Sequence, residues 1–342
     1  MSSPTRQAES RPDACAFAAR VAEVRVETAD ARSFVLEFPD EGREFGYRAG
    51  QFVTVVASID GREHRRCYSM SSSPSLDDRP RITVKRVADG VVSTWLNDHV
   101  GVGDFLEIES PAGAFVLREG TGDIVAFAGG SGITPVFSIV RTALATTARR
   151  VRLFYANRDR DSIIFAADLA ELAARYPGRL TVEHHLDAEA GPPTATRIAE
   201  LLDGEAEYFL CGPAPFMDLV QTSLERAGVA RDRLRVERFT VEDAGVVVTS
   251  AEPVTLHIRC GKRTATGEHR DGKTLLQAAR AFGLRPPSSC ETGSCGSCLA
   301  RITEGRAVMR HNDALSDEEV EDGYVLTCQA VPTGPLVRVD YE

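Results

Sequence analysis

The chain has 342 residues, 43% hydrophobic and 26% charged, with a formal net charge of −10. At roughly 100–150 residues per core, that length predicts two or three domains. The acidic balance argues against a nucleic-acid partner, which would need a basic face, and no apolar run is long enough to span a bilayer.

Residues 1–16 are polar, with arginines and prolines and no apolar signal-peptide segment, so they read as a disordered tail on a cytoplasmic protein. Over residues 17–118 short β-rich runs alternate with turn residues: 22–26, 33–38, 51–56, 81–87 and 105–109. Regular spacing of this kind predicts a small antiparallel β-barrel, interrupted by one helix near 92–99. Arg66-Cys67-Tyr68-Ser69 stands directly after a strand, and Gly90-Val91-Val92-Ser93 opens the helix. These residue types suit a flavin nucleotide. Arginine clamps a phosphate in bidentate fashion, a tyrosine ring stacks on an isoalloxazine, and a helix N-terminus receives a pyrophosphate.

From Asp123 the pattern changes. Ile124-Val-Ala-Phe-Ala128 is a continuous apolar run bounded by Gly129-Gly130, which suits a buried parallel strand. A helix is expected over 133–147, strands over 151–155, 180–184 and 207–211, and helices over 165–175 and 196–202. Such alternation predicts a doubly wound α/β domain over residues 119–239, with its ligand beyond the carboxyl ends of the strands. Gly129-Gly130-Ser131-Gly132 departs from the G-x-G-x-x-G fingerprint but still offers backbone N–H groups to a pyrophosphate. At the end of the second strand, Asn157-Arg158-Asp159-Arg160 presents arginines for a 2′-phosphate and an aspartate for a ribose hydroxyl, leaving NADH and NADPH both open.

Residues 240–253 carry acidic, small and β-branched residues without helical period and read as a linker. Residues 254–342 then predict strand 254–260, strand 263–267, helix 274–282, a loop, and strands 299–303 and 336–339. Within the loop, Cys290, Cys295 and Cys298 are spaced C-x4-C-x2-C, with Cys328 beyond. That is the plant-type [2Fe-2S] pattern, whereas zinc loops pair their ligands as two C-x2-C knuckles. Gly293 and Gly296 supply positive φ and free N–H groups between the ligands. The acidic run 313–322 reads as a solvated helix face, with docking of a basic partner as the alternative. Neighbouring strand residues point to opposite faces, so His184 and His185 are not expected to chelate one metal.

Arg66-Cys-Tyr-Ser69, Gly90-x-x-Ser93, Gly129-Gly-Ser-Gly-Ile-Thr-Pro135, Cys211-Gly212-Pro213 and the C-terminal cysteines occur in the order of the ferredoxin–NADP reductase superfamily. The chain resembles the flavin and iron–sulfur reductase components of multicomponent oxygenases, those of ketosteroid hydroxylases and phenylacetyl-CoA epoxidase above all. The resemblance implies a multidomain architecture: an antiparallel β-barrel flavin domain, a doubly wound nicotinamide domain and a β-grasp plant-type ferredoxin domain. It implies FAD rather than FMN, because the turn from Gly90 to Ser93 would hold a second phosphate. Arg66 would bind flavin phosphate, Tyr68 and Ser69 would contact the ring, and Cys67, Val84 and Lys85 would complete the pocket. Thr134, Cys211 and the Gly212-Pro213 turn would lie near the nicotinamide, and Glu237 beside the flavin. The implied activity is NAD(P)H-dependent electron transfer through FAD and the cluster to a terminal oxygenase, with NADH the family's habit. The implied chain is a monomer with neither membrane nor nucleic acid as partner. Acceptors other than an oxygenase, and a zinc-stabilised nucleotide sensor without turnover, remain the alternatives. Glu291 stands where soluble plant ferredoxins usually carry arginine.

Overall fold

The computed structural model describes residues 16–39, 45–239, 253–269, 272–288, 290–293, 295–312 and 314–341. The expected tail, apart from Ala16, and the expected linker, apart from Pro253, lie outside the described residues, as does Asp313 of the acidic run. Three sheets, each over its own apolar cluster, follow one another along the chain.

The first sheet contains β1 (Ala16–Thr28), β2 (Ala31–Glu37), β3 (Phe52–Ile59), β4 (Arg62–Ser69), β5 (Arg81–Lys85) and β6 (Phe105–Glu109), ordered β4-β3-β6-β1-β2-β5. All its pairings are antiparallel, and a Met70–Ile82 bridge brings its two edge strands together, giving a barrel. Alternation sorts the side chains of β5. Ile82 and Val84 enter the barrel core, while Arg81, Thr83 and Lys85 face the other way. Helix α1 (Val91–His99) plugs the barrel with Val92 and Leu96.

The second sheet is parallel: β7 (Ile124–Gly129), β8 (Val151–Asn157), β9 (Leu180–Leu186), β10 (Glu207–Cys211) and β11 (Leu234–Glu237), ordered β11-β10-β7-β8-β9. Every residue of β7 is buried, as a central strand covered on both faces requires. Helices α2 (Ile133–Thr146), α3 (Ala166–Arg175), α4 (Asp187–Ala190), α5 (Ala195–Ala199) and α6 (Ala214–Arg226) connect the strands. Most of α2 is buried because it packs on the sheet with one face and on the barrel with the other. On the barrel side its polar residues find partners: Ser138 Oγ donates to Ser72 O at 2.6 Å, Thr142 Oγ1 meets Ser73 Oγ at 2.8 Å, and Arg141 forks onto Asp77 at 2.6 and 2.9 Å. Arg81 crosses the same seam, its guanidinium 5.8 Å and 5.2 Å from the Phe137 and Phe165 ring centres.

The third sheet holds β12 (Val254–Cys260), β13 (Arg263–His269), β14 (Leu299–Met309), β15 (Tyr324–Leu326) and β16 (Ala330–Tyr341), ordered β13-β12-β16-β14-β15 with β12 and β16 parallel. Helix α7 (Leu275–Ala281) packs on it, started by a Thr274–Gln277 capping box, and the short α8 (Asp317–Glu321) is solvated. This is the expected β-grasp ferredoxin unit. Strands β1, β14 and β16 are longer than their apolar cores suggest, and α6 starts at the Cys211-Gly-Pro turn, where the sequence reading placed no helix. Among the described residues no helix is long and apolar enough to cross a membrane.

Candidate functional site

A cavity of about 320 Å³ opens between barrel and parallel sheet, lined by Arg66, Cys67, Tyr68, Ser69, Thr83, Lys85, Val87, the stretch from Asp89 through Ser93, Ser131, Thr134 and Phe239. Of the residues expected around a flavin, Val84 points into the barrel core and Glu237 lies outside this lining. The tetrapeptide Arg66–Ser69 is the end of β4 rather than a turn after it, so Arg66 and Tyr68 project to opposite faces from Cys67 and Ser69. Arg66 is exposed and spends one nitrogen on Arg65 O at 2.8 Å, leaving the rest of its fork available. Burial pushes the Tyr68 phenol well up, keeping the ring neutral. At α1 the N-cap is Gly90 without a side-chain cap, so Ser93 is not the cap. Its hydroxyl instead ties Gly90 O and Val87 N into a tight turn at 3.2 and 3.1 Å. An uncapped helix start beside a free guanidinium fits a dianionic phosphate linkage.

A second cavity of about 360 Å³ is lined by Lys85, Gly129, Gly130, Asn157, Arg158, Ser162, Asp187, Pro213, Pro215 and Phe216 among others. It lies at the carboxyl ends of β7, β8, β9 and β10. Gly132 is required here: a Cβ on it would come within 2.2 Å of Cys211 O, so the two ligand turns could not touch. Asn157 is buried beside the Tyr155 hydroxyl, and among the described residues neither polar atom of its carboxamide makes a well-aligned hydrogen bond. Such a group at a cavity wall has bonding capacity to offer a polar ligand. The cavity therefore fits a nucleotide. Asp159, expected to reach a ribose, is turned away. It caps the following 3-10 turn, accepting from Ser162 N at 2.9 Å. Arg160 pairs with Glu189 at 3.1 Å. The acid that does face the cavity is Asp187, opposite Arg158, whose guanidinium is 3.8 Å from Asp30.

Cys211 is fully buried, and burial pushes its thiol far up, so it is a neutral, compact residue at the strand end. Its Cα partner on β11 is Glu237. Glu237 is buried too, and accepts a hydrogen bond from Ser69 Oγ at 3.1 Å. Burial pushes its carboxyl up to about 8, Ser69 draws it back in part, and Cys290 adds to the rise.

Cys290 arrives from the third sheet. It lines a small cavity together with Phe52, Cys67, Ser69, Glu237, Arg238, Phe239 and Thr292, so the cysteine loop seats on the rim of the first cavity. Thr292 N and Ser297 N donate to Cys290 Sγ and Cys295 Sγ at 3.4 and 3.5 Å. All four are free thiols: Cys290 and Cys295 lie within hydrogen-bonding reach of each other, as do Cys298 and Cys328, with Cys290 within electrostatic reach of the second pair. Gly293 (86°) and Gly296 (74°) take the positive φ expected between the ligands. Among the described residues no three of these thiols are placed to hold a single metal ion, but two neighbouring pairs with N–H donors aimed at sulfur fit a two-iron cluster. Phe52, Phe239 and Asp187 were not singled out by sequence. An isolated aromatic or acid carries no motif, and only tertiary packing makes these three part of a site.

Three family descriptions match in order: an oxidoreductase FAD-binding domain over residues 18–117, an oxidoreductase NAD-binding domain over 127–222, and a 2Fe-2S iron-sulfur cluster binding domain over 258–333. The chain is 40% identical over 335 residues to the ferredoxin reductase component of 3-ketosteroid-9-alpha-monooxygenase from Rhodococcus rhodochrous, covering 94% of this chain and 95% of that one. It superimposes on phthalate dioxygenase reductase, a modular structure for electron transfer from pyridine nucleotides to [2Fe-2S], with TM-score 0.65, 25% identity and coverage of 96% and 98%. It also matches an intact type IV self-sufficient cytochrome P450 monooxygenase in fold, with TM-score 0.76 and 23% identity, covering 95% of this chain but 41% of that longer one.

Proposed function

Because the chain belongs to the family of FAD- and NAD-binding reductase components that carry a 2Fe-2S domain, we propose that it draws electrons from NADH and hands them singly to a separate monooxygenase. The observation that carries this reading is the seating of Cys290 on the rim of the cavity that holds Tyr68 and Ser69, which puts an entry and an exit for electrons against each other. When bound, the flavin accepts a two-electron hydride and the cluster carries single electrons.

The chain's own residues do the rest. Arg66 and the Gly90 turn hold the flavin diphosphate, Tyr68 stacks on the ring, and Ser69 and the protonated Glu237 bond its edge. The Gly129–Gly132 turn and the start of α2, with Thr134, cradle the coenzyme pyrophosphate, and Cys211 keeps the approach narrow enough for hydride transfer. Asn157 bonds the coenzyme ribose, and Asp187 selects NADH by accepting from the 2′-hydroxyl and repelling a 2′-phosphate. Cys290, Cys295, Cys298 and Cys328 ligate the cluster. Cysteine ligands that must stay reduced suit the cytoplasm, and the reading needs one protomer and no membrane.

The purified protein should bind flavin and iron, be bleached by NADH without oxygen, and hydroxylate nothing alone. Addition of a monooxygenase from the same genome should restore hydroxylation of that enzyme's substrate. Hydroxylation by the reductase alone would refute the proposal.

A further inference from the structure

Besides Ser69 and Glu237, a second set of hydroxyls leaves the flavin cavity. Thr83 lines that cavity from β5. Its Oγ1 lies 2.7 Å from Ser33 Oγ on β2, its Cα partner across the ladder, and Ser33 Oγ donates in a short hydrogen bond to Glu27 Oε1 on β1. Thr83 and Ser33 are buried, whereas Glu27 is half-exposed. The row thus runs from cavity to solvent through protein oxygen alone.

Two features give the row a direction. Ser71 Oγ also lies 2.7 Å from Thr83 Oγ1, and since Ser33 spends its hydrogen on Glu27 and Thr83 spends its own on Ser33, Ser71 is the donor in that contact. The row then runs one way, Ser71 to Thr83 to Ser33 to Glu27, and Thr83, which lines the cavity, keeps a second lone pair to accept with. At the far end, the register of β1 on β2 slips between Val26 and Thr28. Glu27 therefore has no ladder partner, and this bulge leans its carboxylate onto Ser33.

The proposed reaction needs such an outlet. A C–H bond of the dihydronicotinamide breaks and its hydrogen crosses with both electrons. When the electrons leave one at a time through the cluster, that hydrogen stays behind as a proton. Each NADH thus yields NAD⁺, two exported electrons and one proton, which must leave the cavity. Glu237 is buried, and its one hydrogen bond among those described returns to Ser69.

We propose that Thr83, Ser33 and Glu27 form the proton exit of the flavin cavity, Thr83 receiving the proton while its own passes to Ser33 and that of Ser33 to Glu27, which releases it to water. This rests on the flavin reading of the cavity. Burial raises the Glu27 carboxyl above its ordinary value, Ser33, Arg81 and Arg25 pull against that and Asp168 adds to it, so the group holds a proton more readily than a solvated carboxylate.

The test is a stopped-flow experiment on the full holoprotein, mixed without oxygen with NADH and excess ferricyanide in weak buffer containing a pH-indicator dye. Flavin bleaching and recovery are read in the same trace as acid release, for the native chain, Ser33→Ala, Glu27→Gln and the hydroxyl-preserving Thr83→Ser. Ser33→Ala and Glu27→Gln should delay acid release behind flavin recovery by roughly tenfold or more and enlarge the solvent deuterium effect on that phase, while Thr83→Ser follows the native trace. If Ser33→Ala fails to fold, Glu27→Gln on the half-exposed edge decides. Acid release in step with flavin recovery in both variants would overturn the proposal. A native protein that NADH does not bleach would instead sink the flavin reading.

Discussion

Ser69, the last residue of β4, and Glu237, the last of β11, meet at 3.1 Å, joining the barrel to the parallel sheet at the place where the cysteine loop arrives. A buried carboxyl of this kind is neutral near pH 7, since its value has risen to about 8, so it donates as well as accepts. Ser69→Ala leaves it with one partner fewer, a loss of about 1–3 kcal/mol. The expected outcome is a lower urea midpoint together with slower NADH-dependent flavin bleaching. An unchanged midpoint would mean that Glu237 finds another donor.

Coenzyme choice is predicted to follow Asp187 and not Asp159. Asp187→Ser should raise the NADPH/NADH ratio of kcat/KM by roughly tenfold or more, because a charge facing a 2′-phosphate is removed. Asp159→Ala should leave that ratio alone and cost about 0.5–2 kcal/mol of stability through its lost cap. Parallel steady-state assays and thermal melts separate the two.

Arg66 is exposed, so its removal should leave the fold intact while releasing cofactor. Arg66→Ala forfeits a charge-assisted bond to flavin phosphate of about 1.5–3 kcal/mol, a loss of roughly tenfold or more in affinity. Flavin retained through prolonged dialysis as in the native chain would remove Arg66 from the site.

Cys298 is buried in the ferredoxin unit, away from the nucleotide cavities. Cys298→Ser should abolish the iron–sulfur absorption yet keep NADH-driven reduction of a two-electron dye. Loss of both together, in a protein still folded by circular dichroism, would show that the units do not work independently.

Much of this arrangement was legible in the sequence. The apolar run of β7, the glycine turn after it and the C-x4-C-x2-C loop are local patterns with one physical solution each, and the order of the turns carries the domain order. Less legible were relationships that exist only after packing. Glu237 is marked by the resemblance alone, and its burial exists only once β10 and the cysteine loop cover it. Asp159 reads as a ribose ligand until its backbone shows a capping turn, and Asp187 carries no signal because β9 must first be laid beside β8 to aim it. Phe239, which borders both the flavin cavity and the cysteine loop, belongs to this class as well.

The most direct measurement is rapid-freeze electron paramagnetic resonance of the native chain after mixing with one equivalent of NADH under anaerobic conditions, with flavin absorbance followed in parallel. The account predicts that flavin bleaching comes first and that the signal of a reduced [2Fe-2S] cluster then grows within the same molecule, at a rate independent of protein concentration. A cluster that stays oxidised beside a fully reduced flavin, or one whose reduction rate rises with protein concentration, would contradict electron transfer across the Ser69–Cys290 seam.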